Sequence, residues 1–101
     1  PMLHTVNKSP FERNSLDTCL RLAKKGSAIL LIEDGVIGAV KGTAQSAKIE
    51  GAVGNHAVYV LGPDVKARGL SEDQIIDGVK VVDYAGFVDL AEEHGAHNAW
   101  L

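Results

Sequence analysis

Short, continuously apolar runs alternate along this chain with longer segments of mixed polarity. A short apolar run without polar alternation is typical of a β-strand that is covered on both faces. The runs that predict strands are Met2 to Val6, Ala28 to Ile32, Ala57 to Leu61 and Val79 to Val82. We also predict a short fifth strand near Trp100.

Helix signals lie between these runs. Ser9-Pro10-Phe11-Glu12 has the form of a helix start, with Ser at the N-cap, Pro at the first helical position and Glu three residues after the cap. Lys24-Lys25-Gly26 then supplies a cationic end and a terminating Gly. The helix between them is expected to bury one face, made of residues three and four apart: Leu16, Cys19, Leu20 and Ala23.

The second half of the chain predicts further helices of unequal clarity. Val36 to Val40 could open a short helix, but several glycines between Glu33 and Gly54 weaken any helical interpretation there. Pro63-Asp64 starts a short helix that Gly69 ends, and Ser71-Glu72-Asp73 caps another turn. Asp83 is a good N-cap for a final helix over Tyr84 to Glu93. Its expected inward residues are Phe87, Val88 and Ala91.

The resulting order of strands and helices is βαβαβαβα. This order predicts a single α/β domain over residues 1–101, with a mostly parallel four- or five-stranded sheet between two helical layers. Because the helices are short, some sheet or helix surface is expected to remain for another subunit to cover.

Composition narrows the functional classes. Ten basic and thirteen acidic residues give a formal net charge of −3, which argues against a dedicated nucleic-acid or anionic-membrane binder. The beginning of the chain has no signal-peptide pattern, and no apolar run approaches the roughly 20 residues of a membrane-spanning helix. We therefore expect a cytoplasmic protein without membrane contact. The absence of glycine-rich phosphate-binding motifs predicts no nucleotide cofactor.

Cys19 is the single cysteine, so the chain cannot form an intrachain disulfide or a multi-cysteine metal site. Two interpretations of this residue remain open. A thiolate that carries sulfur requires exposure and a lowered pKa. A small core residue is the alternative, because Cys19 shares the predicted apolar face of Leu16 and Leu20.

Other polar residues offer weaker candidates. His4 lies within the first strand, where a hydrogen-bonded core histidine is expected, and His56 has no visible partner. His94 and His97 are three residues apart, but no third metal ligand is near them in the sequence. Glu33-Asp34-Gly35 follows the second strand at the carboxyl edge of the sheet, where α/β proteins often bind ligands.

The simpler interpretations of the remaining polar and aromatic residues are structural. Asp34 is expected to cap a helix, and Asp64 and Arg68 to form a surface pair four residues apart. Tyr84, Phe87 and Trp100 are expected to be core or interface anchors.

Several segments together resemble the DsrH/TusB family of sulfur-relay subunits. The resemblance covers essentially the whole chain, and the order and spacing of the segments are more specific than any one of them. It is weakest between Thr43 and Asn55. The segments are Leu3 to Pro10, Leu30 to Val36, Tyr59 to Asp64, Lys66 to Gly69, Val82 to Val88 and Ala99 to Leu101.

This resemblance implies a three-layer α/β/α subunit of a cytoplasmic complex, typically a dimer of heterotrimers with two sister subunits that are DsrE-like and DsrF-like. The complex would pass persulfide sulfur to a small DsrC/TusE-like carrier protein with a C-terminal cysteine. One branch of the family serves thiolation of the tRNA wobble uridine, and the DsrH branch serves sulfur oxidation. In both, the principal sulfur-carrying cysteine lies on a sister subunit, and no metal or organic cofactor is implied.

Cys19 matches the position of a cysteine in the DsrH branch, which the tRNA-thiolating branch commonly lacks. Its presence, together with the segments Leu61 to Asp64 and Val82 to Val88, favours the sulfur-oxidation branch, with Cys19 as a candidate auxiliary sulfur acceptor. The alternatives are a structural subunit without its own sulfur site and a subunit of the tRNA-thiolation relay.

Overall fold

A computed structural model describes residues 2–12, 14–95 and 97–100 of the chain. Leu101, the last residue of the family resemblance, and Pro1 at the other end of the predicted domain lie outside the described residues.

Five parallel strands form the central sheet, in the order β4-β3-β2-β1-β5. The strands are β1 (Leu3–Val6), β2 (Ala28–Leu31), β3 (Ala57–Leu61), β4 (Lys80–Val82) and β5 (His97–Trp100). The predicted parallel sheet is thus confirmed, including its fifth strand, which pairs with β1 at one edge. Every residue of β1 and β2 is buried, as expected of continuous apolar strands in the middle of a covered sheet.

Within the described residues, four α-helices and two 3₁₀ helices connect the strands. The α-helices are α1 (Ser15–Leu22), α2 (Ser46–Ala52), α3 (Gly62–Ala67) and α4 (Tyr84–His94). The 3₁₀ helices cover Glu33–Ala39 and Glu72–Gln74, and the second has the capping box expected from Ser71.

The sheet separates two unequal hydrophobic cores. On one face, side chains of α1, α2 and α3 such as Leu16, Ile49 and Val65 pack on the strands. On the other face, α4 alone inserts a buried side chain, Leu90, against Leu3, Ala28 and Leu30. This arrangement is the predicted three-layer α/β/α architecture, with its second face the more thinly covered one.

Helix α1 begins later than the sequence predicts. Ser9 makes an isolated turn instead, in which its Oγ accepts from the Phe11 N–H (3.2 Å) and its carbonyl from the Glu12 N–H (3.0 Å). The turn does not continue into α1, and a Cβ on Gly38 would lie 3.5 Å from the Pro10 ring. The predicted start at Ser9 was therefore wrong, because the segment packs against the 3₁₀ helix before α1 begins at Ser15.

The inward face of α4 also differs from the prediction. Asp83 caps the helix as expected, with Oδ1 accepting from the Gly86 N–H at 2.8 Å. Val88, however, is 55% exposed, whereas Leu90 is buried. The two expected inward residues that are half-buried, Phe87 and Ala91, pack with Leu90 in the smaller core, and Phe87 lies three positions before Leu90 and four before Ala91.

The poorly predicted segment between Glu33 and Gly54 contains the first 3₁₀ helix and α2. Gly35 explains part of its irregularity, because a Cβ at this position would lie 2.1 Å from the carbonyl oxygen of Val6. Only a glycine allows the backbone to approach the end of β1 so closely.

Candidate functional site

The thiol of Cys19 lies in the larger core. Cys19 is fully buried within α1, and burial raises the pKa of its thiol to about 12. A thiolate, which is the nucleophilic form, is therefore strongly disfavoured at neutral pH. The structure places the residue where the core interpretation predicted it, on the same buried face as Leu16.

A compact ion-pair network occupies the carboxyl edge of the sheet. The Nε–H of Arg68 donates to Asp34 Oδ1 at 2.9 Å, and its Nη1 lies 3.9 Å from Asp64 Oδ1. Asp64 Oδ2 accepts from the backbone N–H of Glu33 at 2.7 Å. The expected pair of Asp64 with Arg68 is confirmed, but Asp34 does not cap a helix and instead joins this network.

This network surrounds a strained backbone position. Glu33 has a φ of 50°, which is uncommon for a non-glycine residue. Its N–H bond to Asp64 fixes the conformation at the point where β2 passes into the 3₁₀ helix. In this charged corner the carboxylates of Asp34 and Asp64 both have partners.

A second polar cluster joins β5 to β1. The indole N–H of Trp100 donates to His4 Nδ1 at 2.9 Å, and His97 Nε2 lies 3.0 Å from Thr5 Oγ1. Burial, with smaller contributions from His56 and His97, lowers the pKa of His4 below its ordinary value. The expectation of a hydrogen-bonded core histidine at position 4 is confirmed.

The remaining histidines form no evident metal centre. Within the described ranges, no three His, Cys, Asp or Glu side chains are grouped so that they could hold a metal ion. His56 Nδ1 is buried and makes no hydrogen bond to a described residue. No helix among the described residues is long and apolar enough to cross a membrane.

Two clefts flank the sheet, and the sequence predicted neither. One, of about 680 Å³, lies where β3 and β4 end and includes Pro63, Lys66 and Asp83 in its lining. The other, of about 410 Å³, lies beside the β1–β5 edge and includes His4, Ser27 and Trp100. The first cleft is formed by residues between Gly62 and Gly86, whereas the second combines residues from both ends of the chain, so no local sequence signal marks the second.

Comparison with known proteins agrees with this fold. The ychN protein from E. coli superimposes with a TM-score of 0.81 over 97% of each chain, at 19% sequence identity. The protein MTH1491 from Methanobacterium thermoautotrophicum gives a TM-score of 0.73 at 16% identity, over 97% of this chain and 96% of that chain. At these identities the similarity shows a shared fold.

Sequence comparison identifies the family. The sequence model of the family described as DsrH like protein matches residues 8–97. The chain belongs to the DsrH-like family. Protein TusB from Pectobacterium parmentieri is 41% identical over 99 residues, which are 98% of this chain and all of that protein. Protein TusB from Escherichia coli (strain K12 / DH10B) is 37% identical over the same lengths.

Family membership confirms the resemblance seen in the sequence. The names of these relatives favour the TusB branch over the sulfur-oxidation branch that Cys19 suggested. The structural comparison shows that the buried thiol and the two clefts lie in a fold that the ychN protein shares over nearly its whole length.

Proposed function

We propose that this chain is a structural subunit of a cytoplasmic sulfur relay that serves thiolation of the tRNA wobble uridine. The TusB names of relatives at 37–41% identity over 98% of the chain support the tRNA branch. The sulfur-oxidation assignment rested on Cys19 and two short segments, whereas these full-length relatives are named TusB.

The burial of Cys19 is the observation that carries the structural role. Sulfur transfer onto a cysteine requires a thiolate that attacks the outer sulfur of a donor persulfide and releases the donor thiol. Cys19 has no exposed surface, and burial raises its pKa to about 12. Neither access nor ionisation favours that attack in the folded chain.

The proposed partners are the two sister subunits that the family resemblance implies, and a carrier protein that receives sulfur from one of them. The outer side of α4 supports such an assembly, because Tyr84 and Val88 are 60% and 55% exposed. They lie four residues apart and so form one apolar strip. This helix covers the thinner of the two cores, where added packing would stabilise the domain most.

Intact-mass measurement tests the role of Cys19. The chain, alone and assembled with its sisters, is exposed anaerobically to a persulfide donor. We expect no gain of sulfur on this chain while a sister subunit is loaded. A gain of one sulfur atom that reductant reverses and Cys19→Ala abolishes would make Cys19 an auxiliary acceptor instead.

A cellular assay tests the pathway. Cells that lack this chain are expected to lose 2-thiolated wobble uridine, measured by mass spectrometry of nucleosides from purified tRNA. Both the wild-type chain and Cys19→Ala should restore it, whereas Val88→Asp should not if α4 contacts a sister. Unchanged thiolation in cells without the chain would overturn the proposed pathway.

A further inference from the structure

The cleft of about 410 Å³ beside the β1–β5 edge lies next to the end of α1. The helix ends at Leu22, and the chain then turns back into β2, with the Ser27 N–H donating to the Lys24 carbonyl at 3.0 Å. The cleft lies beyond this end of α1, between Leu22 and residues of β1 and β5. Its volume falls in the range of roughly 300–1,000 Å³ that small-molecule sites occupy.

Apolar side chains form the walls of this cleft. Met2, Leu22 and Trp100 line it, and the first two are 37% and 60% exposed. Large exposed apolar side chains that converge on a concavity are typical of a binding site. The flat indole of Trp100 is held in place by its hydrogen bond to His4, so this wall is pre-formed.

A buried polar group without a partner among the described residues lines the same cleft. Ser27 is 1% exposed, and its Oγ makes no hydrogen bond to any described residue. A buried hydroxyl without a partner is unfavourable in the folded chain, because the group has lost its hydrogen bonds to water without gaining others. Such an unsatisfied group at a cleft is an observation that points to a ligand.

The Nε2–H of neutral His4 provides a hydrogen-bond donor to the cleft. Because the indole N–H can only donate, Nδ1 of His4 must accept, and the ring hydrogen of the neutral imidazole resides on Nε2. His4 is 6% exposed and lines the cleft. The N–H of this ring is therefore available to a ligand as a donor from a mostly buried side chain.

Charge decides the class of ligand. Lys24 lines the cleft and forms no ion pair with another residue in the described ranges, while Asn98 adds a carboxamide. No Asp or Glu is among the described residues that line the cleft. Cationic and neutral donors without an opposing carboxylate favour an acidic group.

We propose that this cleft binds a small organic acid, with its carboxylate among Lys24, Ser27 and His4 and its apolar body between Leu22 and Trp100. Binding at this site is independent of any sulfur chemistry. It requires only that the cleft be open in the protein.

Titration of the full-length ¹⁵N-labelled chain with 3-phenylpropionate tests the proposal, in buffer free of other organic acids. Trp100 is the sole tryptophan, so its indole N–H signal reports the cleft without ambiguity. We expect saturable shifts at Trp100 and Ser27. The neutral isostere 3-phenylpropionamide should bind at least about tenfold more weakly, since it cannot pair with Lys24.

Three variants separate the site from general effects. Lys24→Met should weaken binding about tenfold, and Ser27→Ala about fivefold. Ser27→Ala is expected to fold at least as stably as the wild type, because it removes a hydroxyl that has no partner. Lys25→Met is the matched control, since Lys25 is the adjacent exposed lysine and does not line the cleft.

Several results would overturn the proposal. Equal binding of the acid and the amide would mean an apolar crevice without anion selectivity, and equal losses in Lys24→Met and Lys25→Met would mean non-specific attraction. The absence of shifts at Trp100 would exclude the cleft. If assembly with the sister subunits abolished binding, the cleft would be a subunit interface and not a ligand site.

Discussion

Cys19 should be almost inert toward alkylating reagents in the folded protein. Burial raises the pKa of its thiol from 9.0 to about 12. At pH 8 these values correspond to about one thiolate in ten for the free thiol and about one in 10,000 for the folded chain. Ionisation alone therefore predicts a reactivity about a thousandfold lower, and the lack of any exposed surface lowers it further.

Iodoacetamide labelling followed by intact mass measures this difference directly. The native chain at pH 8 should remain unmodified over a period in which the denatured chain is fully alkylated. An exposed thiol on the same helix provides the control, made as Arg21→Cys in a Cys19→Ala background, and it should react rapidly without denaturant. Native labelling of Cys19 within tenfold of the denatured rate would refute the reasoning, and with it the structural role proposed for this subunit.

Three further outcomes follow from the packing and the charges. Gly35→Ala should lower the free energy of unfolding by several kcal/mol in urea titration, because its Cβ would lie 2.1 Å from the Val6 carbonyl oxygen; Gly51→Ala, with nothing within 4 Å, should be neutral or raise it by up to about 1 kcal/mol. The folded state lowers the pKa of His4, so the unfolded chain binds more protons as the pH falls below about 6.5. The free energy of unfolding should therefore decrease over that pH range, and it should decrease less in His4→Asn. Arg68→Ala should lower the free energy of unfolding by about 1 kcal/mol, because it removes the ion pairs with Asp34 and Asp64. If high salt did not reduce this difference between variant and wild type, the ion-pair explanation would be contradicted.

The strands could be predicted from the sequence because their signals are local. A run such as Ala28 to Ile32 leaves few alternatives to a strand covered on both faces, and β2 is buried at every residue. The Asp83 cap was equally clear, since a side-chain acceptor before a helix pairs with an N–H only three residues away.

Features set by tertiary packing could not be predicted in this way. The Ser9-Pro10 pattern satisfies the local rules for a helix start, yet Pro10 packs near Gly38 and α1 begins at Ser15. Helix α2 was not predicted, because Gly51 and Gly54 lower the helical propensity of this segment. Packing of its buried residues, such as Ile49, offsets that loss. Asp34 pairs with Arg68, which is distant in the sequence, and does not form the expected helix cap. No spacing in the sequence signals such a pair.

The family could likewise be predicted from the sequence, whereas the role of Cys19 depends on tertiary packing. The family model matches residues 8–97 and identifies the family whatever each side chain contacts. The chemistry of a thiol, in contrast, depends on whether its helix face meets the core or the solvent. Leu16 and Cys19 are both fully buried on the inner face of α1, whereas Arg21 on the same helix is exposed. A cysteine placed two residues later would be exposed to solvent, so the accessibility of a thiol on this helix depends on its position and not on its presence in the sequence.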